Sequence, residues 1–188
     1  TGQFKSWHDL FIFGTVADRV ANKFGTQGSP ISLSTACSSG ATAVQLGVEA
    51  IRRGEASAVL CIATDGSVSP ESLIRFSLLS ALSTQNDEPE TASKPFSKNR
   101  DGFVMGEGAG VLMLEEYEHA RARGAKIYAE IVGYGATCDA YHMTAPCDDG
   151  AGMARAMQNA LREALLERGI HKPVATLVTQ VEVDKNDP

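Results

Sequence analysis

Apolar and polar positions follow two rhythms along this chain: stretches with a helical period, and short unbroken apolar runs between turn residues. LFIFGTVADRVANKF (10–24) has the helical period and stops at Gly25, which predicts a helix with a glycine cap. GSPISLSTA (28–36) reads as a loop and a short strand. From Ser39 to Arg53 a second helix is expected, with Ala43, Leu46, Gly47, Ala50 and Ile51 on one face and Gly54 as its stop. ASAVLCIATDG (56–66) is continuously apolar, the pattern of a strand buried on both faces of a parallel sheet.

Pro70 to Leu79 reads as a helix, and residues 83–102 as a long, polar, ordered surface loop without periodicity. GAGVLMLEEYEHARARG (108–124) predicts a strand and then a charged helix, whose Glu115, Glu116 and Glu118 precede Arg121 and Arg123 at pairing distances. IYAEIVGYGATCDA (127–140) follows as an alternating strand. Asp149 to Arg168 gives a strongly amphipathic helix with Met153, Ala156, Met157, Ala160, Leu161, Ala164 and Leu165 on one side. PVATLVTQVEV (173–183) reads as a last strand before a polar tail. Strands and helices alternate throughout, so the fold class is α/β.

With 188 residues the chain is one domain, or one and a half, and 43% hydrophobic residues suffice for a core. A net charge of -6, with basic residues scattered among acidic ones, disfavours nucleic-acid or membrane-surface binding. No run reaches the roughly 18 apolar residues of a membrane span, and the first residues lack a signal-peptide pattern, so a cytoplasmic protein is expected. The chain begins at Thr1 on a polar, irregular stretch, which predicts that its start is not a natural boundary.

Cys37, Cys61, Cys138 and Cys147 have no CxxC spacing, so thiols are expected rather than a metal site or disulfides. Cys37 lies where a strand would pass into a helix. Unpaired N–H groups and the positive helix end favour thiolate there, small neighbours admit a substrate carbonyl, and the Cys37 N–H can serve an oxyanion. The competing reading is a buried structural cysteine. Cys61, inside an apolar run, is a packing residue. The GEGAG glycines (106–110) open a strand rather than a helix, so they suit a tight turn and close packing rather than a nucleotide, with Glu107 as a buried or loop-anchoring carboxylate. No two of His8, His119, His142 and His171 have metal-ligand spacing. His119 is read as solvated, and only His142, in a loop with Asp139 and Thr144, has a site context.

Three ordered segments carry a family likeness: STACSSGATAVQLG, the run from ALSTQNDEPETASKPFSKNRDGFVMGEGAG to EIVGYG, and DAYHMTAPCDDGAGMARAMQNAL. They resemble the β-ketoacyl-acyl carrier protein synthases of bacterial fatty-acid synthesis, most closely the type II elongation enzyme, over residues 10 to 166. The resemblance implies a thiolase-like fold, layered α-β-α-β-α, of which only part of the two halves is present. Residues 1–169 are then a partial synthase entering its C-terminal half, and 170–188 a divergent strand and tail. It implies an acyltransferase in which Cys37 takes the acyl chain as a thioester and decarboxylated malonyl supplies the attacking carbanion. Phe76 and Phe103 match acyl-pocket positions and Thr144 a residue near the phosphopantetheine arm, with Asp139 and His142 in the same loop. No cofactor or metal is implied beyond the phosphopantetheine of acyl carrier protein. The implied partners are that carrier protein, acyl and malonyl thioesters, and a second subunit of a homodimer.

The sequence also departs from the family. Its HGT and GH histidines, their supporting lysine, the glycine/phenylalanine gate and the opening strands have no match here, and Ser80 stands where a basic residue often precedes ALST. The expectation is a middle fragment of a condensing enzyme that can at most acylate itself at Cys37. The alternatives are a non-catalytic truncated synthase acting as a dimerising module, and a polyketide or nodulation-type ketosynthase.

Overall fold

The computed structural model describes residues 14–142, 145–170 and 175–177. Its elements are α1 (Thr15–Phe24), α2 (Ser39–Arg52), β1 (Ala58–Asp65), α3 (Pro70–Leu78), β2 (Gly108–Glu115), α4 (Tyr117–Ala122), β3 (Ala129–Ile131), α5 (Ala151–Ile170) and β4 (Ala175–Leu177). The four strands form one sheet in the order β1-β2-β4-β3. β4 pairs antiparallel with both neighbours, Leu114 opposite Leu177 on one side and Ile131 opposite Ala175 on the other. The expected parallel sheet is corrected at β4, because the last strand inserts between β2 and β3 and runs against both.

Two compact units divide the chain: Ala63–Gly110 is one, and the residues before and after it form the other. In the larger unit, Val48, Ile51, Cys61 and Leu114 form the core, with Val44, Val59, Leu112, Ile131 and Tyr134 packed on it. α2 therefore turns Val44, Gly47, Val48 and Ile51 inward, at i, i+3, i+4 and i+7. The predicted face held Gly47 and Ile51 but not the fully buried Val48. Gly47 is required by contact: a Cβ there would meet Cys61 Sγ at 2.6 Å and Leu114 Cδ1 at 3.1 Å. β1 buries only Cys61 fully, so the strand covered on both faces is also corrected. β1 is an edge of the described sheet, with no strand beyond it.

At the sheet's far end, α5 packs through small residues, since Cβ atoms on Gly133 and Gly135 would run into the backbone at Ala156, Ala160 and Ala164. So close an approach brings the small alanines of α5 to the contact. Met153, Met157, Leu161 and Leu165, expected on the same buried side, are 57–70% exposed. Arg52 of α2 pairs with Glu163 of α5, whose other oxygen accepts from the Tyr134 N–H at 2.8 Å. Between β2 and α4, buried Glu115 is gripped by the Arg123 fork through two bonds of 2.6 Å and by His119 Nδ1 at 2.6 Å. His119 makes this contact from an exposed position, with half of its side chain open to solvent, as its place on a charged helix predicts. The arrangement holds the Glu115 carboxyl below its usual range, Arg123 being the chief cause.

In the smaller unit, Ser69 Oγ accepts from the Ser72 N–H at 3.2 Å and Pro70 opens α3, a helix start built from its own first residues. The long loop is ordered as expected. Asp101 accepts from the Ser83 hydroxyl at 2.9 Å and the Thr84 N–H at 3.1 Å, which hold its carboxyl low. Gly102 lies against the Leu82 and Ser83 backbone, leaving no space for a Cβ. The GEGAG glycines, by contrast, have open space around them, so their expected close packing is corrected, and Glu107 anchors the loop from an exposed position by accepting from the Val68 N–H at 2.9 Å.

No helix among the described residues is long and apolar enough to cross a membrane. The predicted strand before Cys37 is absent: among the described residues no strand runs between Gly25 and Ser39, and Ile31 is 66% exposed. A β-rich sequence becomes a strand only where a neighbour completes its ladder. The first part of the predicted helix 10–24, together with His8, His171 and most of the last predicted strand, lies outside the described residues.

Candidate functional site

Cys37 is exposed in a turn two residues ahead of α2. The turn closes through Ser38 N–H to the Thr35 carbonyl at 3.2 Å and Ser39 N–H to the Ala36 carbonyl at 3.1 Å. Ala36 adopts φ 52°, in the left-handed region that residues with a Cβ avoid. It directly precedes Cys37, so its backbone angle sets the direction of the cysteine.

Four hydroxyls tie this turn to the first turns of α2. Ser39 Oγ accepts from the Thr35 N–H at 2.9 Å and donates to the Ala36 carbonyl at 2.6 Å. Ser38 Oγ donates to the Thr35 carbonyl at 2.8 Å, with Thr35 Oγ1 at 3.1 Å, and Thr42 Oγ1 donates to the Ser38 carbonyl at 3.1 Å. Thr35 Oγ1 lies 2.9 Å from Thr42 Oγ1, and because the Thr42 proton is directed at Ser38, Thr35 is the donor of that pair. None of these hydroxyls was singled out from sequence. The available signal was the density of Ser and Thr flanking one cysteine, at positions 35, 38, 39 and 42.

Cys61 is the opposite case: 5% exposed, in contact range of the Ala43 carbonyl at 3.4 Å, and with its thiol pushed up to about 11 by burial. It is a packing residue, as expected. Cys138 is exposed and Cys147 partly so, and all four cysteines are thiols.

Phe76 and Phe103, both in the smaller unit, meet edge to face with centroids 5.2 Å apart and planes at 84°. Phe103 is placed by a two-bond bridge: its N–H donates to the Ala81 carbonyl and its carbonyl accepts from Ser83, each at 3.0 Å. Both rings keep part of their surface open, 37% and 42% exposed. In the larger unit, Asp139 Oδ2 accepts from the Cys147 N–H at 3.0 Å and His142 Nδ1 accepts from the Ala145 N–H at 3.1 Å. The structure thus joins the two phenylalanines and gives Asp139 and His142 separate backbone partners within one loop. Thr144 lies outside the described residues.

The chain is similar to known proteins along most of its length. The family described as "Beta-ketoacyl synthase, N-terminal domain" matches residues 8–120, and "Beta-ketoacyl synthase, C-terminal domain" matches residues 128–171. A 3-oxoacyl-[acyl-carrier-protein] synthase 2 of Vibrio harveyi is 48% identical over 159 residues, 82% of this chain and 38% of the relative. A protein of Streptomyces cyaneus named for polyketide β-ketoacyl synthesis is likewise 48% identical, over 85% of this chain and 38% of its own. The crystal structure of a β-ketoacyl synthase from Burkholderia phymatum STM815 superposes with a TM-score of 0.76 at 44% identity, covering 81% of this chain and 36% of that one. The chain spans under two fifths of the length of these relatives.

Proposed function

Because the chain belongs to the β-ketoacyl synthase family, with part of its thiolase-like α/β fold, we propose that Cys37 is the acyl acceptor of a condensing acyltransferase that elongates carrier-bound fatty acyl chains. The observation that carries this reading is the placement of Cys37: exposed, two residues before a 14-residue helix, on a backbone bent to present it.

In the first half-reaction the Cys37 thiolate attacks the carbonyl carbon of an acyl group held as a thioester on the phosphopantetheine of acyl carrier protein. The new C–S bond forms, the old one breaks, and the phosphopantetheine sulfur leaves as thiolate and takes up a proton. In the second, malonyl-carrier protein loses carbon dioxide, its carbanion attacks the Cys37 thioester, and the Cys37 thiolate departs. The partly open Phe76 and Phe103 rings suit the acyl chain, and the loop bearing Asp139, His142 and Thr144 the phosphopantetheine arm. Residues 1–169 are the synthase part and 170–188 a divergent tail, and the working enzyme is a homodimer. A polyketide-type substrate is the second reading, favoured by the equal 48% identity of the Streptomyces cyaneus relative.

Incubating the 188-residue chain with a hexanoyl-pantetheine thioester should add one hexanoyl group at Cys37 by peptide mass mapping, and none in Cys37→Ala. Malonyl-carrier protein should then yield no elongated product, since no HGT or GH histidine is present to assist decarboxylation. Acylation of Cys138 in place of Cys37 would remove the proposal.

A further inference from the structure

We propose that Ser39 is a positioning residue for Cys37: its hydroxyl grips the backbone on both sides of Ala36, holding that residue in the left-handed conformation that aims the cysteine. This rests on the reading of Cys37 as acyl acceptor and adds to it a residue that never touches the acyl group.

The geometry is specific to Ser39. It accepts from the N–H before Ala36, on Thr35, at 2.9 Å, and donates to the carbonyl of Ala36 itself at 2.6 Å. One side chain thus brackets Ala36, whose φ is 52°. An alanine is strained at that angle and relaxes to negative φ unless something over-determines it. The two bonds supply that constraint, and they start from the first residue of α2, so the helix itself is the anchor. Without them Ala36 rotates, and the Cα–Cβ direction of Cys37 turns away from the exposed position it holds ahead of α2.

The account predicts a rescue. Glycine adopts φ 52° without strain, so replacing Ala36 makes the grip unnecessary. The experiment measures iodoacetamide alkylation of the 188-residue chain by peptide mapping from about pH 6 to about pH 9, with exposed Cys138 as the internal standard. Ser39→Ala should lower the Cys37-to-Cys138 rate ratio on the order of tenfold. Ala36→Gly/Ser39→Ala should return the ratio to within about twofold of the parent. A parent-like ratio in Ser39→Ala overturns the proposal. So does a double variant as slow as Ser39→Ala, because Ser39 would then act by some route other than holding Ala36. Should Ser39→Ala fail to fold, the double variant against Ala36→Gly alone makes the same test, and a more than threefold difference between them overturns it. Hexanoyl loading is read separately: a Cys37 that alkylates in the predicted pattern but takes no acyl group leaves the Ser39 proposal standing and removes the acyl-acceptor reading.

Discussion

Cys37 and Cys61 belong to the same compact unit, yet the chain treats the same side chain in opposite ways. Cys61 sits in the core between α2 and β1, where a methyl group added on Gly47 would strike its sulfur at 2.6 Å. Its thiol is held up near 11 because burial penalises the thiolate. Cys37 is exposed, on a backbone conformation that is unfavourable for its neighbour Ala36 and is held by hydroxyls rather than by apolar packing. Packing makes one sulfur inert, and hydrogen bonding leaves the other accessible and aimed. The two sites therefore respond to different substitutions.

The largest expected effect is on protection. With its thiol near 11 rather than the ordinary 9.0, Cys61 forms about a hundredfold less thiolate at a given pH, before occlusion is counted. Iodoacetamide should modify Cys37 and Cys138 while leaving Cys61 unmodified until denaturant is added. Labelling of Cys61 in the folded chain at a rate near that of Cys138 would break the contrast.

Next in size, Gly47→Ala should destabilise the chain by about 2 kcal/mol through overpacking, measured by urea unfolding. Gly47→Ala/Cys61→Ala should recover most of that loss, since the sulfur is the nearest obstacle. Equal stability of the single and double variants would place the clash elsewhere.

Comparable in size to the Gly47 effect is the pH dependence. The folded Cys61 stays protonated where the unfolded thiol ionises, so its contribution is intact below about pH 9 and lost as pH rises towards 11. Glu115 works in the other direction: its carboxyl is held low by Arg123 and His119, so its contribution is present above the ordinary carboxylate range and lost as pH falls through its lowered folded value. Stability should therefore decline at both extremes in urea titrations. Cys61→Ala should flatten the alkaline limb alone, and Glu115→Gln the acid limb alone.

Much of this architecture was legible along the chain wherever the signal was local. Gly25 closes α1 at φ 64°, Ser69 caps α3, and the apolar run from Ala58 to Asp65 is a strand. The likeness around STACSSG led to the family that the comparisons then identified. Burial was less legible. The Met and Leu positions of α5 have the right period to face a core, but Gly133 and Gly135 bring the backbone so close that Ala156, Ala160 and Ala164 take the contact instead. The grip of Ser39 on Ala36 was invisible for a related reason. Nothing in the residue letters marks an alanine that has been turned to positive φ.

By itself, then, the sequence determined where most helices and strands begin and end, because caps, glycine stops and apolar runs act between near neighbours. It also placed Cys37 ahead of α2 and Cys61 within an apolar strand. Only the tertiary structure decided that residues 31–36 form no strand, that β4 enters the sheet antiparallel between β2 and β3, and that Arg52 of α2 pairs with Glu163 of α5. Each of these depends on a partner distant in sequence, and a ladder, a packed face or an ion pair between two helices has no existence until that partner arrives.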